Sequence, residues 1–242
     1  GCGKSTLGRT LIRMYEPTGG QIIFDGEDIT KLEGAKLQPY HKRMQIIFQD
    51  PYSALDPHHN VEEIIREPMS LYTNASKSDI DEQIVELLKK VGMKADDMYK
   101  YAYELSGGQL QRVCIARAVA CEPEIILFDE AISSLDAHTQ VQVMDLLIDL
   151  KEKLNLTYVF ITHDLTSVTY LCDEVLFLYR GHITECRPVR ELGKTTDEYA
   201  RRLLQAAEEM ADCPALEKGY AAAVRSPHRV RKCFLLLPLC PV

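Results

Sequence analysis

The feature that most constrains this chain is a buried-strand pattern that ends in two acids. Ile125 to Phe128 is a continuous apolar run, and Asp129 and Glu130 follow it directly. Such a run is typical of a strand covered on both faces of a parallel sheet. Ligands bind outside the carboxyl ends of these strands. The run therefore predicts an α/β fold in which Asp129 holds a divalent cation and Glu130 activates water as a general base.

The chain begins with the last part of a phosphate-binding loop of the form GxxxxGK[ST]. Glycines let backbone N–H groups close around phosphates at a helix N-terminus, where the helix dipole favours anions. Lys4 adds a positive charge, and the Ser5 hydroxyl is placed for Mg²⁺. An ordinary capped helix is the alternative for this segment taken by itself. The nucleotide-binding residues predicted here are Gly1, Cys2, Gly3, Lys4, Ser5 and Thr6.

A second glycine-rich helix start precedes the acidic strand. Ser106 and Gln109 have the spacing of a capping box, which satisfies two backbone donors at the start of a helix. Capping does not explain Gly107 and Gly108, because adjacent glycines weaken the first turn of a helix. Without side chains they let a phosphate approach bare N–H groups. The segment therefore predicts a second phosphate contact that is compatible with capping.

Composition limits the classes of partner. The formal net charge of -8 argues against a nucleic-acid partner, which requires a basic face. No apolar run reaches the length of a membrane span. The eight cysteines show no disulfide framework, which indicates a reducing cytosol. The cysteines expected to be small buried hydrophobes are Cys114, Cys121 and Cys172. A metal site is the less favoured reading of the irregularly spaced Cys213, Cys233 and Cys240.

Strands alternate with helices along the chain, which predicts a parallel sheet with covering helices. Asp25-Gly26 and Arg180-Gly181 are predicted to be hairpin turns. Ser78 is predicted to cap a helix that stops at Gly92. We expect the α/β core in residues 1–50 and 116–200, a helical subdomain in residues 51–115, and a weakly ordered tail in residues 201–242.

In this order, the motifs resemble those of the nucleotide-binding subunits of ATP-binding-cassette (ABC) transporters, over roughly residues 1–200. Gln49 matches the Q-loop glutamine, which contacts Mg²⁺ and the attacking water, and His163 matches the switch histidine that senses the γ-phosphate. Ser133 to Asp136 matches the D-loop. The resemblance implies a P-loop NTPase core with an inserted helical subdomain, and ATP and Mg²⁺ as cofactors. It implies Glu130, His163 and Gln49 as catalytic residues, Ser5, Gln49 and Asp129 as metal ligands, and Ser106, Gly107, Gly108, Gln109 and Asp136 as further nucleotide contacts.

The resemblance also implies a head-to-tail dimer in which Ser106 to Gln109 of one subunit cover the γ-phosphate held by the other. The segments Phe48 to Pro57 and Glu63 to Pro68 are similar to those of bacterial dipeptide and oligopeptide importers, and nickel importers share them. Implied partners are membrane permease subunits, a second ATPase subunit (the same or paralogous) and, indirectly, an extracellular solute-binding protein. The implied location is peripheral, on the cytoplasmic face of the bacterial cell membrane. The resemblance does not identify the transported solute.

Three departures from the family pattern carry expectations. The sequence lacks two features of the family, the strand ahead of the phosphate loop and the aromatic residue that stacks on adenine, as in an N-terminally truncated chain. We therefore expect a sheet without one of its central strands, and poor ATP binding. Ala131 replaces a proline, which should loosen the turn after Glu130. The tail from Cys213 fits no family pattern. Two other classes stay open: a soluble cassette ATPase of DNA repair or translation, and a non-catalytic half that binds ATP without turnover.

Overall fold

The computed structural model describes residues 3–73, 75–209 and 233–239. The chain begins with helix α1 (Lys4–Leu11) and a short hairpin of β1 (Ile23–Phe24) and β2 (Glu27–Asp28). Between these strands Asp25 and Gly26 have φ angles of 51° and 83°. Positive φ at both central residues is what a two-residue hairpin turn requires. The predicted hairpin is therefore confirmed.

A six-stranded sheet forms the centre of the molecule, with strand order β3-β4-β5-β8-β6-β7. All neighbouring pairs are parallel except β6 and β7, which form an antiparallel hairpin. The predicted turn at Arg180-Gly181 connects that hairpin, with φ angles of 47° and 82°. The α/β prediction is confirmed. The strands are β3 (Met44–Ile47), β4 (Ile125–Asp129), β5 (Thr157–Ile161), β6 (Glu174–Tyr179), β7 (His182–Pro188) and β8 (Cys233–Leu239).

Of the predicted tail, the structure describes residues 201–209 and 233–239, and the second of these segments is a strand in the middle of the sheet. β8 lies between β5 and β6 and is parallel to both. β8 therefore occupies the central position of the sheet that we expected to be empty. The physical reason is that an unbroken apolar run suits a central strand of a parallel sheet, whichever part of the chain supplies it.

Seven α-helices of the described residues follow α1. They are α2 (Gln38–Arg43), α3 (Val61–Tyr72), α4 (Lys77–Lys90), α5 (Gly107–Val119), α6 (Ala137–Leu154), α7 (Leu165–Leu171) and α8 (Glu198–Glu209). Of these, α3 and α4 lie within the range 51–115 of the predicted helical subdomain. None of the helices within the described ranges is both long enough and apolar enough to cross a bilayer. Ser76, rather than Ser78, caps α4, because its hydroxyl accepts the N–H of Asp79. Gly92 follows the end of α4 with a φ of 71°, as predicted.

Two apolar clusters cover the two faces of the sheet. The smaller one lies under α1 and includes Leu127 and Ile161. The larger one joins the sheet to the helices α3 and α4, because α5 packs against both of them and also against β3 and α6. α5 thus crosses the boundary that we expected at residue 115. Cys114, Cys121 and Cys172 are all buried in the structure, as expected.

Candidate functional site

The start of α1 lies at the carboxyl edge of the sheet. Gly3 precedes the helix with a φ of 88°, and its carbonyl accepts the N–H of Leu7. The helix lies very close to the strands, because a Cβ on Gly8 would stand only 2.5 Å from Cδ1 of Ile161. This approach brings Lys4 and Ser5 to the ends of β4 and β5. Gly1 and Cys2 lie outside the described residues.

Asp129 ends β4 and is almost fully buried. The Ser5 hydroxyl donates a hydrogen bond of 2.8 Å to Oδ1 of Asp129. Oδ2 accepts two hydrogen bonds from the Arg9 guanidinium, at 3.2 Å from Nε and 2.9 Å from Nη2. Charge-assisted hydrogen bonds of this kind are the strong ones. Asp129 is therefore held in a fixed orientation by two residues of α1.

Arg9 is a site residue that our reading of the sequence missed. Besides Asp129, its guanidinium contacts the Tyr15 hydroxyl at 3.3 Å and lies 5.6 Å from the centroid of the Phe48 ring. Helix spacing was the available signal, because Arg9 follows Ser5 by four residues and side chains at that spacing share a helix face. Arg9 thereby ties the phosphate-loop helix to both β4 and the end of β3.

Glu130 lies between a lysine and a histidine. Lys4 Nζ is 3.9 Å from Oε1 of Glu130, and His163 Nδ1 is 3.9 Å from Oε2. The backbone of Glu130 has a φ of 54°, and its N–H donates to the carbonyl of Ile161 at 2.8 Å. A non-glycine residue in this region is uncommon and is typical of functional sites. The turn therefore directs the Glu130 carboxylate into the gap between α1 and the end of β5.

The donor set at this edge fits a magnesium ion. Mg²⁺ binds oxygen ligands, usually one or two carboxylates together with substrate phosphates and waters. The Ser5 hydroxyl and the Asp129 carboxylate supply two adjacent oxygens, 2.8 Å apart. Gln49, the third predicted ligand, follows β3 and is exposed. The structure thus brings Lys4, Ser5, Asp129, Glu130 and His163 together.

Ser106 caps α5 through the predicted capping box. The Gln109 N–H donates to the Ser106 hydroxyl at 3.3 Å, and the Ser106 N–H donates to Oε1 of Gln109 at 3.0 Å. Gly108 lies against α6, since a Cβ there would stand 2.4 Å from Cγ2 of Thr139. One glycine of the pair therefore has a packing reason that the sequence did not reveal. Ser106 and Gly107 are exposed.

Asp136 caps the neighbouring helix α6. Its carboxylate accepts the N–H of Thr139 at 3.0 Å, and this hydrogen bond lowers the pKa of Asp136 below its ordinary value. Thr139 thus connects the cap of α6 to Gly108 of α5. The predicted D-loop residue and the predicted phosphate contact of α5 belong to one packed unit.

Comparison with known proteins identifies the family. The model of the family described as ABC transporter matches residues 1–133. A putative peptide import ATP-binding protein of Brucella ovis is 42% identical over 207 residues, which are 85% of this chain and 65% of that protein. The oligopeptide transport ATP-binding protein AppF of Bacillus subtilis is 44% identical over 193 residues, covering 79% of this chain and 59% of AppF. The glutathione import ATP-binding protein GsiA of Salmonella paratyphi A is 40% identical over 212 residues, 88% of this chain and 34% of GsiA. The chain thus spans 65% or less of the length of these relatives.

Solved structures agree with the fold. The ATP-binding cassette MJ0796, in a dimeric post-hydrolysis state bound to ADP and Pi, superposes with a TM-score of 0.70 at 28% identity, covering 78% of this chain and 82% of that chain. The cbiO1 protein of Clostridium perfringens, part of the ABC transporter complex cbiONQ, gives a TM-score of 0.72 at 25% identity, covering 86% of this chain and 83% of that chain. The fold class and the resemblance inferred from the motifs are both confirmed, and the chain belongs to the ABC transporter family.

Proposed function

We propose that this chain is the ATP-hydrolysing subunit that powers the import of peptides or related small solutes through a membrane permease. The observation that carries the proposal is the position of Glu130. Its two carboxylate oxygens lie 3.9 Å from Lys4 and 3.9 Å from His163, next to the Ser5–Asp129 hydrogen bond. A carboxylate held between a phosphate-binding lysine and a histidine is placed to act on water beside a terminal phosphate.

Each residue of the site has a defined role in this proposal. The backbone of the phosphate loop and the Lys4 ammonium bind the β- and γ-phosphates. Ser5 and Asp129 hold Mg²⁺, which neutralises charge on the phosphate oxygens when it is bound. Glu130 orients the attacking water and accepts its proton. His163 is 62% exposed in its side chain and therefore has room to contact the γ-phosphate. Gln49 would contact the ion and the attacking water, as the resemblance implies.

The exposed start of α5 is the proposed contact with a second subunit. Ser106 and Gly107 are exposed at a helix N-terminus, where a phosphate is favoured. We infer that Ser106 to Gln109, with Asp136 beside them, cover the nucleotide that a second ATPase subunit holds, so that ATP closes the dimer and hydrolysis opens it. The second subunit is either the same chain or a paralogue.

The remaining partners follow from the family and its relatives. The relatives' names refer to import of peptides, oligopeptides and glutathione. We therefore propose permease subunits as direct partners, an extracellular solute-binding protein as an indirect one, and a peripheral location on the cytoplasmic face of the membrane. The net charge of -8 gives no basis for a nucleic-acid partner.

The test is Mg-ATP hydrolysis by the chain and its Glu130→Gln variant, with Glu152→Gln as the matched control. Glu152 is an exposed glutamate of α6. We expect Glu130→Gln to lower turnover by about 10²–10⁴-fold, the usual contribution of a general base. The same variant should accumulate an ATP-dependent dimer in light scattering, and Glu152→Gln should behave as wild type.

Two other outcomes would contradict parts of the proposal. Full turnover in Glu130→Gln would show that Glu130 is not the base. ATP binding without turnover in the wild type, with permease-containing membranes added, would identify a non-catalytic half instead.

A further inference from the structure

Arg9 is held at the candidate site by more than its contact with Asp129. Its guanidinium donates two hydrogen bonds to Oδ2 of Asp129, at 3.2 and 2.9 Å. It also donates to the Tyr15 hydroxyl at 3.3 Å and lies 5.6 Å from the centroid of the Phe48 ring. The contacts with Tyr15 and Phe48 do not involve the carboxylate. They therefore keep a positive charge beside Asp129 independently of what its other oxygen binds.

The two carboxylate oxygens of Asp129 have different surroundings. Oδ1 accepts the Ser5 hydroxyl at 2.8 Å and belongs to the pair of oxygens that fits Mg²⁺. Oδ2 faces the Arg9 guanidinium, and the Asp129 side chain is only 5% exposed. Water screens charges poorly where they are buried. Arg9 therefore orients Oδ1 and also weakens the attraction of Asp129 for any cation that approaches it.

The second carboxylate of the site is paired in a similar way. Oε1 of Glu130 lies 3.9 Å from Lys4 Nζ, and both side chains are largely buried. The two carboxylates thus face two cations of α1, Arg9 and Lys4. Within the ranges that the structure describes, no cluster of three or more Asp, Glu, His or Cys side chains could hold a metal ion. The side chains of the site therefore offer free Mg²⁺ little net negative charge.

We propose that Arg9 makes Mg²⁺ binding at this site depend on nucleotide. Free Mg²⁺ binds weakly because Arg9 balances the charge of Asp129, and the phosphates of ATP supply the negative charge that the side chains lack. Proteins usually hold Mg²⁺ with one or two carboxylates together with substrate phosphates, which agrees with this division. The inference rests on the proposed function for its nucleotide, whereas the role of Arg9 towards the metal can be tested without one.

The size of the effect follows from the contact between Arg9 and Asp129. A guanidinium in contact with a carboxylate lowers its affinity for a proton by about 10–1000-fold. The same guanidinium opposes Mg²⁺ at Oδ1 in the same sense, from further away but against twice the charge. Arg9→Gln removes the positive charge and keeps an N–H donor for Oδ2. We therefore expect Arg9→Gln to raise the affinity for free Mg²⁺ by about tenfold or more.

The test is calorimetric titration of the full chain with MgCl₂ alone, at low ionic strength. Arg9→Gln should bind Mg²⁺ at least about tenfold more tightly than the wild type. Arg9→Lys keeps the positive charge without the planar fork of donors, and it should stay close to the wild type. The matched control is Arg202→Gln, because Arg202 is an exposed arginine of α8 that pairs with Glu198. A merely structural role of Arg9 would not raise Mg²⁺ affinity in any variant.

A double variant shows where the additional Mg²⁺ binds. Asp129→Asn combined with Arg9→Gln should abolish the gain, because the ligand oxygen loses its negative charge. A gain that persists in the double variant would place the ion elsewhere and overturn the proposal. An equal gain in Arg9→Lys and Arg9→Gln would also overturn it, because the charge of Arg9 would then not be responsible.

The wild type gives a comparison that needs no folded variant. Millimolar MgCl₂ alone should shift its thermal unfolding no more than NaCl of equal ionic strength, whereas MgCl₂ with ATP should stabilise it. Specific stabilisation by MgCl₂ alone would overturn the dependence on nucleotide.

Failure of this inference is distinguishable from failure of the proposed function. ATP binding by the wild type, with equal Mg²⁺ affinities in the wild type and Arg9→Gln, would refute the role of Arg9 and retain the nucleotide site. A gain of Mg²⁺ affinity in Arg9→Gln, in a chain that binds no ATP, would retain the charge balance at Asp129 and refute the nucleotide site instead.

Discussion

The contact between Gly108 and Thr139 gives a prediction whose size follows from the structure. Gly108→Ala would place a methyl carbon 2.4 Å from Cγ2 of Thr139. Carbon atoms in contact lie about 3.5–4.0 Å apart, so one of the two side chains, or α5 itself, must move by about 1 Å. Thr139 is β-branched and stiff at χ1, and its own backbone N–H is held by Asp136. The few χ1 rotamers open to Thr139 in a helix therefore limit how far a rotation can relieve the strain.

Two opposing effects decide the result. Overpacking a site of this kind costs about 1–3 kcal/mol. Replacing glycine by alanine inside a helix gains up to about 1 kcal/mol. We therefore expect Gly108→Ala to lower the free energy of unfolding by about 0–2 kcal/mol, with the packing cost larger than the gain in helix propensity.

The double variant Gly108→Ala, Thr139→Ser isolates the packing effect. Serine removes Cγ2 and keeps Cβ and Oγ1, which would lie 3.7 and 3.8 Å from the added methyl, an ordinary contact distance. Thr139→Ser alone should cost at most about 0.8 kcal/mol for one methyl group. In denaturant unfolding at constant m-value, we expect the two changes to couple favourably by about 1–3 kcal/mol. Additive effects, within about 0.5 kcal/mol, would refute the argument from the contact.

The wild type, the two single variants and the double variant also distinguish a packing role of Gly108 from a role in nucleotide contact. If Gly108 also lets a phosphate approach the start of α5, the double variant will regain its stability and still fail to form the ATP-dependent dimer. A double variant that regains both would show that packing alone requires glycine at this position. The dimer is measured by light scattering with ATP, in the background of Glu130→Gln.

Three further predictions concern individual side chains. Arg9→Met should lower the free energy of unfolding by about 1.5–3 kcal/mol, because the buried Asp129 loses two hydrogen bonds from a charged group. In thermal unfolding, Mg²⁺ should stabilise this variant more than it stabilises the wild type. Asp136→Ala should destabilise the chain at neutral pH. Because folding lowers the pKa of Asp136, its contribution to stability is present above the ordinary value of 3.8 and is lost as the pH falls through the lower folded value. The unfolding curves of the wild type and the variant should therefore converge in acid. Burial raises the pKa of Cys114 from 9.0 to about 12, so its contribution to stability is complete below pH 9.0 and is lost as the pH rises towards about 12. At mildly alkaline pH, iodoacetamide should therefore modify the exposed Cys186 well before Cys114, as followed by peptide mass spectrometry.

Local chemistry made several parts of the fold predictable from the sequence. Asp25-Gly26 specified a hairpin because few residue pairs accept two positive φ angles. Ser106 and Gln109 specified a helix start, because a capping box needs only residues three apart. The cap of α4 was assigned to Ser78 instead of Ser76, since two serines offer the same chemistry and only the backbone decides between them.

The candidate site was predictable as far as its residues come from motifs at the ends of strands. Asp129 ends β4, Glu130 follows it and His163 follows β5, and parallel strands place their carboxyl ends at one edge. We did not predict Arg9 because we considered only the first residues of α1. The packing of the whole helix decides which other side chain reaches Asp129.

By itself, the sequence determined the elements that depend on neighbours along the chain: the two hairpins, the caps, the α/β alternation and the acidic pair after a buried strand. The tertiary structure decided what depends on distant segments meeting. An apolar run such as Phe234 to Leu237 requires two neighbours but does not name them, and β5 and β6 supply them. The contacts of Gly8 with Ile161 and of Gly108 with Thr139 are likewise set by how closely helices pack, because a glycine in sequence shows the absence of a side chain and not what occupies the space.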